Sequence, residues 1–419
     1  MDVEIITIGD ELLIGQVVDT NSLWMGEKLG DANFSVRWKT TVGDDEWDIL
    51  EAVSRAMRRA RIVLLTGGLG PTKDDITRIA LCKFFSSDLR YSKDVYTNIK
   101  ALAQAAGRDV GELSYDQAMV PEAATIIHNQ MGTAPCTWFE RKGRVLASMP
   151  GVPHEMRWLM EYEIIPRLTQ KYNPNIHILR HHFLVGGYTE SALAVKLEGL
   201  EMELPSYMKL SYLPSPGVVR LRLTSCHRHK REAENSIAFY GQRIVTILGS
   251  SVIATRDRTL EYILGESLIE RKLTLCTAES CTGGRLAAII SSVAGCSRYF
   301  KGGMIAYSDG LKIKNLGVTS RELKDHGAVS QLVVERMALS AAGMMRADCA
   351  IATSGIAGPS GGTEEKPVGT VWIAVALGDN VVSECFRFGV TREQNIERAS
   401  NMGILMLLKL IRDEKESAQ

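Results

Sequence analysis

The sequence predicts an α/β protein made of an amino-terminal α/β domain, a small α+β module and a carboxy-terminal α/β domain. The chain has 419 residues, and single cores stop growing near about 250–300 residues, so two or three domains are expected. Short apolar runs alternate with helix-period segments over the first third and again after residue 259, the pattern of parallel sheets covered by helices. Between them Pro205, Pro214, Pro216 and Gly217 punctuate short alternating pieces such as Val218 to Leu223. The expected boundaries are 1–170, 171–255 and 256–419.

Val3 to Ile8 reads as a strand ending at Gly9, and Asn21 or Ser22 as the cap of a helix running toward Gly30. Phe34 to Thr40 is a strand, and Asp44 or Asp45 starts a helix with Trp47, Leu50, Val53 and Met57 at helical spacing. Ile62 to Thr66 is a fully apolar strand, followed by a glycine-rich loop and a helix from about Ile76 to Phe85. A helix from Lys93 to Ala106 precedes strands at Thr125 to His128 and Arg144 to Met149, and Pro150-Gly151-Val152-Pro153 breaks to another helix. In the last third a helix from Thr259 to Glu270 leads to a strand at Leu273 to Thr277 and a helix containing Leu286, Ala287 and Ile290. Strands follow at Met304 to Tyr307, Cys349 to Thr353, Val368 to Leu377 and Val381 to Phe388, with helices from Val329 to Met345 and at the end of the chain.

Lys and Arg number 49, as do Asp and Glu, so no net field gathers nucleic acid or anionic membranes. The acidic start Met1-Asp2-Val3-Glu4 is unlike an export signal, and no apolar run approaches the roughly 18 residues of a spanning helix. Eight cysteines without a CxxC pair read as reduced thiols. The expected location is the cytoplasm, with no membrane partner.

Ligands of open α/β sheets bind where strands end and loops diverge. Thr66-Gly67-Gly68-Leu69-Gly70-Pro71-Thr72-Lys73-Asp74-Asp75 follows a strand and precedes a helix, so its backbone amides can face an anion. It is neither a P-loop nor a GxGxxG fingerprint. Gly9-Asp10-Glu11, Asp19 and Asn21 can converge on the same loop, and carboxylates beside a phosphate site imply a divalent cation. The alternative is that the glycines only make a turn and that Asp74 and Asp75 only favour a helix start.

In the last third, Thr277-Ala278-Glu279-Ser280-Cys281-Thr282-Gly283-Gly284 lies on a strand-to-helix turn, and Thr353-Ser354-Gly355-Ile356-Ala357-Gly358-Pro359 ends a later strand. A hydroxyl on such a turn has the setting of a nucleophile, with amides placed for an oxyanion. Its base is His326, Lys312 or Lys314, and a lysine base needs its pKa lowered by about 2–3 units. The competing readings are that Ser280 only caps the following helix and that Cys281 is either a second nucleophile or a buried thiol.

GDELLIGQVVDTN, TGGLGPTKDD, GTAPC, PGVPHEM, TAESCTGG, YSDGLK, HGAVS, SGIAGP and KPVGTVW occur in this order, and by them the sequence resembles the competence/damage-inducible CinA family over essentially its whole length. The resemblance implies a molybdopterin-binding-like (MoaB/MogA) domain, a KH-like module and a nicotinamide mononucleotide (NMN) deamidase domain. It places a catalytic serine/lysine dyad on Ser280 and Lys312, with Thr282, Gly283 and Gly284 as oxyanion or phosphate donors and Tyr307, Ser354 and Gly355 as pocket walls. The deamidase needs no cofactor. For the amino-terminal domain the resemblance implies ADP-ribose pyrophosphatase activity, with Thr66, Gly67, Gly68, Gly70, Thr72 and Asn21 at the substrate and Asp10, Glu11, Asp19, Asp74 and Asp75 at a divalent metal.

Two positions depart from the family pattern: Cys136 stands where a glycine is usual, and Asp309 where an asparagine is usual. The KH-like module has no GxxG between Tyr188 and Leu264, so it reads as a structural spacer and not as a nucleic-acid binder. The expected partners are the small nucleotides NMN and ADP-ribose, and contact with a second subunit suits such folds. The alternative functions are a pterin- or nucleotide-binding first domain without turnover, or a competence protein acting through protein contacts.

Overall fold

A computed structural model of the protein describes residues 1–70, 76–105, 113–172 and 174–417. It divides into two compact units, Met1–Leu179 with Ser225–Glu234, and Arg180–Thr224 with Asn235–Gln419.

The first unit runs β1 (Asp2–Ile8), α1 (Asp10–Leu13), α2 (Thr20–Asp31), β2 (Ser35–Val42), α3 (Glu46–Arg59), β3 (Ile62–Thr66), α4 (Thr77–Phe85) and β4 (Leu89–Tyr91). It continues with α5 (Lys93–Ala105), α6 (Leu113–Gln117), β5 (Met119–Pro121), β6 (Thr125–Ile127), β7 (Cys136–Arg141) and β8 (Arg144–Met149). α7 (Pro153–Leu159) then passes through a π turn into α8 (Ile165–Tyr172). The sheet order is β2-β1-β3-β8-β7-β6, parallel from β2 to β8 and antiparallel beyond. β1 and β3 are apolar because both sheet faces are covered, one by Met25, Leu29, Met156 and Leu159 and the other by Ile49, Val53, Ala80 and Leu81. The winding reverses at β1, which opens a crevice at the carboxyl ends of β1 and β3.

Local chemistry corrects three expectations. α2 is capped by Asp19, whose carboxylate accepts the Ser22 amide at 2.8 Å, and Asn21 and Ser22 lie inside the helix. Trp47, at helical spacing, is 73% exposed, because α3 buries Ile49, Ala52, Val53, Ala56 and Met57 instead. β7 adds a strand that the sequence reading lacks, joined to β8 by Lys142 and Gly143, both at positive φ (52° and 74°), as a two-residue hairpin requires. Cys136 opens this strand, fully buried and absent from the positive-φ positions, so no glycine-specific backbone is needed there.

The second unit begins with β9 (His177–Gly186), α9 (Glu190–Met202), β10 (Met208–Ser215), β11 (Val218–His227), α10 (Lys230–Leu248) and β12 (Val252–Ala254). These form a sheet ordered β10-β11-β9-β12, with Leu193, Leu197 and Ile244 packed on Phe183, Val219, Leu221 and Leu223. There follow α11 (Leu260–Arg271), β13 (Leu275–Glu279), α12 (Arg285–Ser291), β14 (Phe300–Ile305), α13 (Asp309–Leu316) and α14 (Ser320–His326). The chain ends with α15 (Gln331–Met345), β15 (Cys349–Gly355), β16 (Thr370–Leu377), β17 (Asn380–Arg387) and α16 (Arg392–Ser417). The order is β14-β13-β15-β16-β17, with β14, β13 and β15 parallel and the last two antiparallel. α11, α12 and α16 cover one face, and α13 and α15 the other. β13 is this sheet's reversal point.

The module packs against the helices that follow it. Leu184 and Val218 share an apolar cluster with α11 and α16, and Asn401 Nδ2 of α16 donates to the Pro216 carbonyl at 2.8 Å. Among the described residues no helix is long and apolar enough to cross a membrane.

Candidate active site

The carboxyl ends of β13, β14 and β15 are tied together, since Ser280 N–H donates to Thr353 O at 2.9 Å and Ala306 N–H to Glu279 O at 2.8 Å. Past Glu279 the chain turns sharply through Gly283 and Gly284, at φ +60° and +97°, and a Cβ on Gly284 would lie 2.9 Å from Ile305 Cδ1. Glu279, 1% exposed, aims its carboxylate into this turn. It accepts the amides of Gly284 and Leu286 at 3.0 Å each and of Ala287 at 2.8 Å, so it satisfies the start of α12. Ser280 therefore does not cap α12, whose N-cap residue is Gly284.

Ser280 is 8% exposed. The amides of Gly283 and Gly284 are both engaged, the first with Ser280 O at 3.2 Å and the second with Glu279, so neither is open to a ligand. Among the described residues the amides of Cys281 and Thr282 carry no hydrogen bond to another residue. The Thr282 hydroxyl meets that of Thr353 at 2.7 Å. Burial pushes the Cys281 thiol up to about 12, with Lys312 near enough to oppose the shift, so Cys281 is a protonated core thiol and not a second nucleophile.

Of the three candidate bases, Lys314 and His326 are exposed, whereas Lys312 is 2% exposed. α13, capped by the Ser308 hydroxyl, carries Lys312 in beneath the end of β14. Its Nζ donates to Tyr307 O at 3.4 Å and lies 3.6 Å from Asp309 Oδ1. The departure at Asp309 thus faces the lysine. Ser354 Oγ donates to Ala328 O at 2.7 Å, and Gly355 has no room for a side chain, since a Cβ would sit 2.7 Å from Thr370 O.

In the first unit, Thr66 Oγ1 donates to Pro150 O at 2.8 Å, Asn21 Nδ2 to Gly151 O at 2.7 Å, and Thr7 Oγ1 to Asp19 at 3.3 Å. Thr66, Asn21, Asp19 and the glycine loop thus share one sheet edge. Gly67 and Gly68 are at φ +113° and +63°, and added Cβ atoms would lie 2.2 Å from Ile8 O and from Thr77 Oγ1 respectively. Gly70 is exposed. Asp10 exchanges hydrogen bonds with the Asp44 loop at 3.1 and 3.2 Å, and Glu11 is exposed. Thr72, Asp74 and Asp75 lie outside the described residues. Among the described residues no group of three His, Cys, Asp or Glu side chains is arranged around a metal position, though Asn21 Oδ1 is buried with no partner.

Three family models match in order: a probable molybdopterin binding domain over residues 4–170, a damage-inducible protein CinA KH domain over 181–254 and a CinA C-terminal domain over 257–411. A CinA-like protein of Flavobacterium psychrophilum is 40% identical over 98% of this chain and 99% of its own length. The chain belongs to the CinA family. A putative competence-damage inducible protein of Caldicellulosiruptor saccharolyticus, 36% identical over 98% of this chain and 99% of its own, is a further relative. Among solved CinA structures, competence damage-inducible protein A of Klebsiella pneumoniae is 35% identical, covering 36% of this chain and 93% of its own, with a TM-score of 0.35.

Within this CinA chain, four residues at the strand ends have no counterpart in the sequence reading. Glu279 is one, and its signal is an acid placed just before a Gly-Gly helix start. Arg392 donates to Tyr307 Oη at 3.0 Å and to Gly358 O at 2.9 Å. Asn395, 1% exposed, bonds Ala357 O and Gly389 O at 3.0 Å each and so fixes the loop after β15. No local pattern marks these two, which arrive from the end of the chain. In the first unit, burial pushes the Glu155 carboxyl up, and it accepts Asn129 Nδ2 at 2.6 Å.

Proposed function

We propose that this CinA-family chain is a bifunctional hydrolase of pyridine nucleotides, and that its carboxy-terminal domain converts NMN to nicotinic acid mononucleotide and ammonia. The observation that supports this most is the buried Lys312 beside a turn that carries an uncapped serine, Ser280, at the carboxyl ends of adjacent parallel strands. Lys312, in its neutral form, accepts the Ser280 proton as Oγ attacks the carboxamide carbon. The oxyanion then faces the amides of Cys281 and Thr282, which no other residue engages. Lys312 returns the proton to the departing nitrogen, ammonia leaves, and water hydrolyses the acyl-serine by the same route in reverse. Ammonia release from NMN by wild type, Ser280→Ala and Lys312→Ala tests this, and equal rates in all three would refute the dyad.

For the amino-terminal domain the reading is hydrolysis of ADP-ribose at its pyrophosphate, with the loop from Gly68 to Gly70 supplying backbone amides, since that of Gly67 is held by Met149 O at 3.2 Å. The residues suited to a divalent cation are Asp10, Glu11 and Asp19, the orphaned Asn21 Oδ1, and Asp74 and Asp75, which follow Gly70 in the sequence. When bound, such an ion supplies charge neutralisation and an activated water. AMP release from ADP-ribose that requires added divalent metal is the expected result. The engagement of Asp10 with the Asp44 loop favours a second reading, in which this domain binds a nucleotide or pterin without turnover. Tight ADP-ribose binding with no AMP release at any metal concentration would establish it.

A further inference from the structure

A glycine-rich turn opening a helix is the usual seat for a phosphate, yet the start of α12 is closed to one. The Glu279 carboxylate, 1% exposed, already holds the amides of Gly284, Leu286 and Ala287, and a second anion there would meet a buried like charge. The phosphorylated end of the substrate must lie elsewhere.

A cleft of about 360 Å³ adjoins the turn, lined by Arg285, Arg392, Glu393, Ile396 and Glu397, a size within the range of small-molecule sites. Tyr307 links it to the dyad, because Arg392 donates to Tyr307 Oη at 3.0 Å and the carbonyl of the same tyrosine accepts Lys312 Nζ at 3.4 Å. Arg285 is the residue after Gly284 and is exposed, and among the described residues its guanidinium has neither a hydrogen bond nor an ion pair. Positions 393, 396 and 397 share one face of α16 with Arg392 by helical spacing. The cleft is therefore mixed in charge, with two guanidinium groups and two carboxylates. A bare anion gains little from such a lining, whereas a phosphorylated sugar uses both kinds of group, the arginines for the phosphate oxygens and the carboxylates as acceptors for its hydroxyls.

We infer that this cleft is the ribose-phosphate subsite of the carboxy-terminal centre, with Arg285 as the residue that selects for the 5′-phosphate. The inference rests on the deamidase reading for the identity of the reacting group, but the subsite can be tested without turnover. Binding of ribose 5-phosphate, ribose and inorganic phosphate to the full chain would be measured by calorimetry for wild type, Arg285→Gln and Glu397→Gln. The expected result is that ribose 5-phosphate binds more tightly than either fragment. Arg285→Gln should weaken it by about 10- to 100-fold, the worth of a charge-assisted hydrogen bond, and Glu397→Gln should weaken ribose 5-phosphate but not inorganic phosphate. Wild type that fails to bind ribose 5-phosphate, or an Arg285→Gln variant that binds it as wild type does, overturns the subsite. Equal binding of inorganic phosphate and ribose 5-phosphate also overturns it and leaves an anion site alone. In turnover, the preference for NMN over its dephosphorylated riboside, as a ratio of kcat/KM, should fall in Arg285→Gln, and an equal loss on both substrates counts against the assignment. Absence of ammonia release by wild type would refute the deamidase reading, while the calorimetry would still decide the subsite.

Discussion

The Glu279 carboxylate accepts the Ala287 amide at 2.8 Å, eight residues further along the chain. With the two companion bonds to Gly284 and Leu286, one buried side chain fixes both the Ser280 turn and the helix after it. Glu279→Ala leaves three amides without their acceptor, and we expect a loss of about 2–4 kcal/mol of stability. Calorimetric unfolding measures it, and a variant that unfolds at the wild-type temperature contradicts this role. Glu279→Gln should fall between the two.

Lys312 is buried with only a long hydrogen bond and one ion pair. Exchanging it for an apolar side chain of similar length should leave stability unchanged or raised, since a poorly bonded buried amine is replaced by an apolar group. Lys312→Met is expected to lower ammonia release from NMN by about 10²- to 10⁴-fold, the usual worth of a general base, with unfolding unimpaired.

Asp309 Oδ1 lies 3.6 Å from Lys312 Nζ. Asp309→Asn removes this charge with little change of shape and should raise ammonia release from NMN. An unchanged rate would show that the exposed carboxylate is screened by solvent.

Cys276, Cys281 and Cys349 are each pushed up by burial to about 12 from an ordinary value of 9.0. The unfolded chain releases these protons near pH 9 and the folded chain holds them, so their contribution is intact below that pH and falls as pH rises toward 12. The slope is about 1.4 kcal/mol per pH unit for each thiol. Urea unfolding at pH 8 and pH 10 should show the loss, reduced in Cys276→Ala. Native protein at pH 8 should also resist alkylation at Cys281.

Gly67→Ala places a methyl group 2.2 Å from Ile8 O at φ +113°. We expect destabilisation of about 2 kcal/mol or more in the first unit, with ADP-ribose binding weakened. Gly143→Ala, at φ +74° with open space around it, should cost less, because only the backbone conformation is strained.

The strand ends that carry the candidate sites were legible in the sequence because apolar strands such as Ile62 to Thr66 and Cys349 to Thr353 run into glycine-containing loops, whereas the strand order was not. The glycine turn at Ser280 was equally visible, but its chemistry was not. Whether Ser280 caps the helix depends on where Glu279 points, and alternation along a strand cannot show that a buried acid folds forward onto the next helix. Burial separated Lys312 from Lys314, two exposed-looking positions in one short helix. Arg392 and Asn395 reach the centre from more than eighty residues beyond Tyr307, so no spacing rule could place them. Trp47 shows the opposite error, where correct periodicity marked a residue that lies just off the buried arc.

The seat of the Pro216 turn on Asn401 has a consequence for how the chain can be divided. α16 is lined on one side by the sheet of its own domain and on another by Leu184 and Val218 of the module, so a cut between residues 255 and 256 strips that helix of a partner. A carboxy-terminal fragment begun there would bare Met402 and Leu405, which pack in this cluster, and would self-associate or call for new polar residues at those positions. The division that respects the packing falls before His177, where β9 begins, and a fragment from there to the end is the shortest carboxy-terminal piece expected to stay monodisperse.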